Sequence, residues 1–216
     1  MENRKEKYQN ILLLSLLSIA ILAIRIFYTH KITFIFLIWN LLLAWIPLLF
    51  ANQFFVTNFS KKIKIICLYF GWLFFFPNAF YLVTDFIHFR TAHNPYKWLD
   101  LVLLLSFSLS GIALSVFSFS IIQDKLALVF SKKIVQFHFL VICILNGYGI
   151  YLGRFLRWNS WDLLLNPQEI LLLTFENAIH PIQNLRTVLV TASFGILLFV
   201  LYKLFNGKIA KQGATD

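Results

Sequence analysis

The chain has 216 residues, 60% of them hydrophobic, 18% aromatic and only 13% charged, with a mean hydropathy of +0.77. A water-soluble domain of this size could not hide so much apolar surface, because soluble monomers expose only small apolar patches; the composition therefore excludes that class and indicates a polytopic membrane protein. The net charge of +10 brings nucleic acid to mind, but the basic residues stand in small groups beside apolar runs, as membrane topology signals do, so no nucleic-acid partner is expected.

In chain order, Arg4, Lys5 and Lys7 precede a first apolar run, 11–27. It is longer than a signal-peptide core and is followed by Tyr28, not by a small-residue cleavage site, so it reads as a retained signal-anchor helix. Further runs follow at 32–50, 65–88, 99–122, 134–155 and 185–204. Each can cross about 30 Å of hydrocarbon at about 1.5 Å per residue, given a few flanking residues. Six spans leave short loops, so the expectation is one all-α transmembrane domain over 1–216, a bundle of six helices. The two cysteines, Cys67 and Cys143, lie inside apolar runs without metal-ligand spacing and read as small hydrophobes.

Six crossings put both termini on one side. With the N-terminus cytoplasmic, that side holds 12 basic residues against 7 on the other, eleven of the 12 being lysines. This is the positive-inside arrangement of a cell-membrane protein with both termini in the cytoplasm. Arginine is distributed the other way: Arg25, Arg90, Arg154, Arg157 and Arg186 fall at the outer face, with His30, His88, His93 and His180 and the acids Asp85, Asp100, Asp162, Glu169 and Glu176. The plain reading is loop residues meeting water and headgroups. The sharper one is a polar site, since arginine's planar fork suits carboxylates and phosphates. The cytoplasmic half offers little beyond His138 and Asn40.

The third span ends in FFFPNAFYLVTDFIHF. Pro77 should kink the helix or start a new helical piece. Beyond it Asn78, Tyr81, Asp85 and His88, at spacings of three, four and three, share one helical face that should point into the bundle. A hydrogen-bonded seam between helices and a ligand site both fit that face. In the fourth span Ser108, Gly111, Ser115 and Ser118 form a small-residue face for close packing. The fifth span ends in YGIYLGRFLRWNSWDLLLNP, where Gly149 and Gly153 are spaced for helix approach. There Arg154 and Arg157 have Asp85, Asp162 or an anionic headgroup as candidate partners, and Trp158 and Trp161 suit an interfacial belt. Asn166-Pro167 marks a helix start with Asn as cap, and a helix over 167–180 is too short to cross, so it should lie in the interface or re-enter. Its Glu169, Glu176 and His180 share a face that could turn towards Asp85 and His88.

At PNAFYLVTD with its following His88, and at YLGRFLRWNSWDLL, the chain resembles domain of unknown function 1361, a family of uncharacterised bacterial multi-pass membrane proteins. The resemblance runs from the second span to the last. It implies a multi-pass membrane protein and supplies no reaction. It also implies that Pro77, Asn78, Tyr81, Asp85, Arg154, Arg157, Trp158, Asn159, Ser160, Trp161 and Asp162 are shared motif positions. The family often has proline where this chain has Phe80, which leaves the local helix geometry open.

The functional expectation is binding of an anionic lipid or envelope component at the outer leaflet. Its candidate ligand-binding residues are Asn78, Tyr81, Asp85, Arg154, Arg157, Trp158, Asn159, Trp161 and Asp162. The alternative is a membrane-embedded hydrolase or transferase acting on a lipid-linked envelope substrate. It would use His88, Glu176 or His180 as acid/base, or Asp85, His88, Glu176 and His180 around a metal. No HExxH, paired CxxC or glycine-rich phosphate loop supports it, and no cofactor is expected. A solute transporter is the third class, but the chain lacks internal repeats and deep polar residues in several spans.

Overall fold

The computed structural model describes residues 2–91, 95–158 and 162–207. The described chain is helical: α1 Glu2–Thr29, α2 Phe36–Val56, α3 Lys62–Tyr81 continued by a 3-10 segment Leu82–Thr91, α4 Lys97–Ala127, α5 Lys132–Phe155, a single turn α6 Asp162–Leu165, α7 Pro167–Ile179 and α8 Leu185–Gly207. Six helical stretches, Arg4–Thr29, Phe36–Val56, Lys62–Phe89, Lys97–Ala127, Lys132–Phe155 and Leu185–Phe205, are long and apolar enough to cross a membrane. Side chains facing outward, such as Leu13, Leu17, Ile63, Phe137 and Leu171, are as apolar as those inside. Only a hydrocarbon solvent makes that arrangement stable. The protein is an all-α, multi-pass membrane protein.

Contacts divide the chain into two compact units, Met1–Ser118 and Phe119–Asp216, with α4 passing from one to the other. In the first unit, α1 buries Ile11, Ser15, Ser18, Leu22 and Arg25, a repeat of four and three that makes one stripe. That stripe meets α4 in antiparallel register: Tyr8 touches Phe117 edge-on, the Ser18 and Ser110 hydroxyls are 3.1 Å apart, and Arg25 reaches Asp100. Tyr8 to Arg25 and Asp100 to Phe117 are equal lengths of helix, about 25 Å. The Trp45 indole N–H of α2 donates to Ser15 Oγ (3.3 Å). The remaining seam of α2 and α3 is aromatic, with Phe50 stacked on Phe75 and Phe54 beside Tyr69.

In the second unit, α5 lies along α8. A Cβ on Gly147 would collide with the carbonyl oxygen of Thr191, and one on Gly195 would come within 2.9 Å of the Cys143 carbonyl. The glycines that permit this approach are therefore Gly147 and Gly195, where the sequence had favoured Gly149 and Gly153. The spacing rule finds small residues, but the face used depends on the partner helix. Farther along, Phe119, Phe139, Phe199 and Tyr202 form an aromatic cluster, beside which Gln123 and His138 share a 3.0 Å hydrogen bond.

α7 begins with Pro167 in its first turn, as the sequence predicts, but the Asn166 side chain makes no capping hydrogen bond. The Asn166 amide instead donates to the Asp162 carbonyl, closing the turn of α6. With thirteen residues, α7 is about 20 Å long and too short to cross. It docks on α5 through Tyr148, whose hydroxyl donates to Thr174 Oγ1 (3.0 Å) and accepts from Asn177 Nδ2 (3.3 Å). Thus the inward face of α7 is Ile170, Thr174 and Asn177, while Glu169, Glu176 and His180 are exposed. Groups that can be neutral and hydrogen-bonded take the interior, and charges that would need desolvation stay out.

Candidate functional site

Two buried polar pairs organise one end of the first unit. Arg25 is 2% exposed and Asp100 0%; Arg25 Nε donates to Asp100 Oδ1 at 3.0 Å. The same guanidinium donates through Nη1 to the Lys31 carbonyl at 2.6 Å and lies 4.8 Å from the centre of the Phe34 ring. The sequence places Arg25 near the outer end of the first span, where the plain reading has its charge meeting water and headgroups. The residue is instead buried, one turn before the end of α1, and it fastens α1, the α1–α2 loop and α4 together.

The second pair joins α2 to the segment after Pro77. Asp85 is 1% exposed, and Asn40 Nδ2 donates to its Oδ2 at 3.0 Å. Asn40 therefore belongs beside Asp85, not to the opposite half of the span, because α2 starts at the Arg25 end and Asn40 lies in its second turn. One turn earlier on α2, Phe36 meets the His88 ring edge-on, centroids 5.0 Å apart. The match has a geometric cause. Four residues of α-helix rise about 6 Å, and three residues of 3-10 helix rise about 6 Å as well, so Phe36 and Asn40 meet His88 and Asp85 in step. Asn78 and Tyr81 sit in the last α-helical turns and are half-buried. The shared face predicted across Pro77 is thus split by a change of helix type at Leu82.

The change of helix type is itself held by α4. Ser108 Oγ donates across to the Leu82 carbonyl at 3.1 Å, and a Cβ on Gly111 would collide with the Ala79 carbonyl. Ser115 and Ser118 are buried and donate within α4 to Gly111 and Ser115 carbonyls. The small face of α4 is therefore a packing surface around Ala79 and Leu82.

The other sequence candidates lie in the second unit. α5 ends at Phe155; Arg157 is exposed and takes a left-handed backbone (φ 60°), and the Trp158 amide folds back to the Leu152 carbonyl at 3.1 Å. A left-handed arginine costs about 1–2 kcal/mol, a strain that stops the helix and swings the chain away. Arg154 and Trp158 are half-buried. Arg186, at the start of α8, lies over the Phe155 ring at 4.3 Å. Arg186 thus reaches the ring of the last residue of α5, with Arg154 before it and Arg157 after it in sequence. Sequence reasoning named two of them; Arg186 was visible only as an outer-side charge. Asn159 and Trp161, also nominated, lie outside the described residues, as do Ser160 and His93, while Asp162 opens α6. Among the described residues, no group of three or more His, Cys, Asp and Glu side chains is placed to hold a metal. Of the acid/base candidates, His88 is in the first unit against Phe36, and Glu176 and His180 are exposed on α7.

A family model described as protein of unknown function DUF1361 matches residues 39–201. The chain belongs to the DUF1361 family. The matched region holds Asn40, the Pro77–His88 segment, the arginines and the α5–α8 pair, but it begins after Arg25. No curated protein and no solved structure gives a significant match.

Proposed function

We propose that this integral membrane protein binds the phosphate-bearing headgroup of an anionic lipid at the outer end of α5 and α8. The observation that carries the reading is Arg186 lying over the Phe155 ring, which brings it to the segment that holds Arg154 and Arg157. Guanidinium forks suit phosphate oxygens, and an aromatic ring under one of them holds its plane without neutralising its charge. Asp85, with Asn40 bonded to it in the interior of the first unit, is assigned to positioning helices. The lysine bias of the sequence supports the cell membrane as location, both termini in the cytoplasm, and an extracytoplasmic arginine rim.

The test is a triple variant, Arg154→Gln, Arg157→Gln and Arg186→Gln, purified from phosphatidylcholine vesicles doped with phosphatidylglycerol. Native mass spectrometry of retained lipid should show phosphatidylglycerol enriched on the wild-type protein and near bulk proportion on the variant. At about 1 kcal/mol per arginine near a membrane surface, each substitution reduces the preference about fivefold. Undiminished enrichment on the triple variant overturns the reading. Impermeant thiol labelling of a cysteine placed at Gln168 checks sidedness: labelling from outside intact cells is expected, and labelling only after lysis refutes the orientation.

A further inference from the structure

Three different faces follow one another around α7, and their order fixes its surroundings. At 3.6 residues per turn, Glu169, Glu176 and His180 fall within an arc of about 40°, and all three are exposed. Ile170, Thr174 and Asn177 occupy about 60°, centred about 110° away; this is the inward face, bonded to Tyr148. Leu171, Leu172, Phe175 and Ile179 cover about 100° on the third side and are 51–69% exposed. A helix with a charged arc and an outward apolar arc, besides the arc that meets its own protein, stands at a boundary between two solvents. Gln168, the one polar residue on the apolar arc, is in the first turn, where unpaired amide N–H groups need water or headgroup oxygens in any case.

The contact with α5 sets the depth of that boundary. Tyr148 stands seven residues before Phe155, about 10 Å in from the end of α5. Its side chain leans towards the start of the helix, which is farther inward. The inward face of α7 therefore meets the unit below the helix end, not on top of it. Around that level Ile144 and Leu145 of α5 and Val188 and Leu189 of α8 are exposed. Those residues belong to a pair of membrane-spanning helices and face hydrocarbon, and the apolar arc of α7 adds to their surface.

We propose that α7 is an in-plane lipid anchor, lying at the boundary of headgroups and acyl chains in the leaflet at the Phe155 end of α5. Leu171, Leu172, Phe175 and Ile179 enter the acyl region, Glu169, Glu176 and His180 look out to water, and Tyr148 holds the third side. The partner is the lipid surface itself, whatever its headgroup charge, so the assignment goes beyond the arginine reading and does not rest on it. Re-entry into the bilayer is disfavoured because it carries Glu169 and Glu176 into hydrocarbon, where an ionised carboxylate is penalised about a hundredfold at the centre. A partner arriving from water is disfavoured by the depth, which is of the order to which interfacial helices sink, about 5–10 Å.

The experiment places nitroxide labels, on cysteines introduced one at a time, in the full-length protein in phosphatidylcholine vesicles. The background is Cys67→Ala, Cys143 being buried. Collision with oxygen reports hydrocarbon, and collision with a nickel chelate reports water. Labels at Leu171, Leu172, Phe175 and Ile179 should favour oxygen, at a depth of about 5–10 Å. Labels at Glu169, Glu176 and His180 should favour nickel, so the ratio should swing with the helical period along α7. Each label replaces an exposed side chain, which keeps the packing on Tyr148. Adding Leu172→Glu and Phe175→Glu to the Ile179 label should move that label into water. The triple arginine variant should leave the whole pattern unchanged, which separates this anchor from the headgroup reading; loss of the pattern there overturns it. Oxygen dominance at all seven positions would mean re-entry, and nickel dominance at all seven a helix standing in water. Protection of the apolar arc from both reagents would mean a protein partner or a second copy. Each of these overturns the proposal, as does an Ile179 label that ignores the two glutamates.

Discussion

Replacing Arg25 with methionine tests whether the buried ion pair between α1 and α4 holds the first unit together. Methionine keeps most of the aliphatic stem, so the loss is confined to the guanidinium: its bond to Asp100 at 3.0 Å, its bond to the Lys31 carbonyl at 2.6 Å and its contact with the Phe34 ring. With Asp100 0% exposed, its carboxylate loses the Arg25 guanidinium in the interior, and breaking such a pair from one side costs about 3–5 kcal/mol. Asp100→Leu leaves the guanidinium two of its three contacts and should cost somewhat less, about 3 kcal/mol. The double variant carries neither charge and should be less destabilised than either single variant. Unfolding of the purified protein by SDS titration in mixed micelles, followed by Trp fluorescence and circular dichroism, gives all three values. A single variant within about 1 kcal/mol of wild type, or a double variant as unstable as the two singles added, refutes the reasoning.

The glycines give a graded series in the same assay. Gly111→Ala and Gly147→Ala drive a methyl into backbone carbonyls of Ala79 and Thr191 and should each destabilise by about 1–3 kcal/mol, whereas Gly71→Ala meets only the Phe50 ring at 2.7 Å, which can turn aside, and should be near neutral. Equal effects at all three sites would contradict the close helix approach. Asn40→Leu removes a hydrogen bond to a buried carboxylate and should cost about 1.5–3 kcal/mol; no loss of stability would show that Asp85 does not depend on α2. Tyr148→Phe deletes the hydroxyl shared by Thr174 and Asn177 and should loosen α7 without unfolding the unit, visible as faster amide exchange over Pro167–Ile179. Unchanged exchange there would mean that α7 is held by other contacts.

Much of the fold was legible because a transmembrane helix is a one-dimensional signal: length and apolarity suffice, and six apolar runs became six long helices. The short helix opening at Pro167 was equally local, whereas α3 runs on through Pro77 and changes helix type only at Leu82. The candidate site was legible only in part. Arg154 and Arg157 were picked out by their motif, but Arg186 waited for the ring contact with Phe155. Arg25 and Asp100, 75 residues apart, each looked like an ordinary charge at a helix end. The four-and-three repeat from Ile11 to Arg25 was the one clue that α1 turns its arginine inward. The acids of α7 misled for the opposite reason, since a shared face says nothing about which way that face turns.

Read alone, the chain of residues determined its solvent, its helices and its family, because each follows from composition, local periodicity or a contiguous string. Which polar groups meet was decided by tertiary structure. Pairing Arg25 with Asp100, Asn40 with Asp85 and Gly147 with Thr191 requires a rotation and a register for every helix. Those are set by the sum of many packing contacts along each interface, and no single stretch of sequence contains that sum.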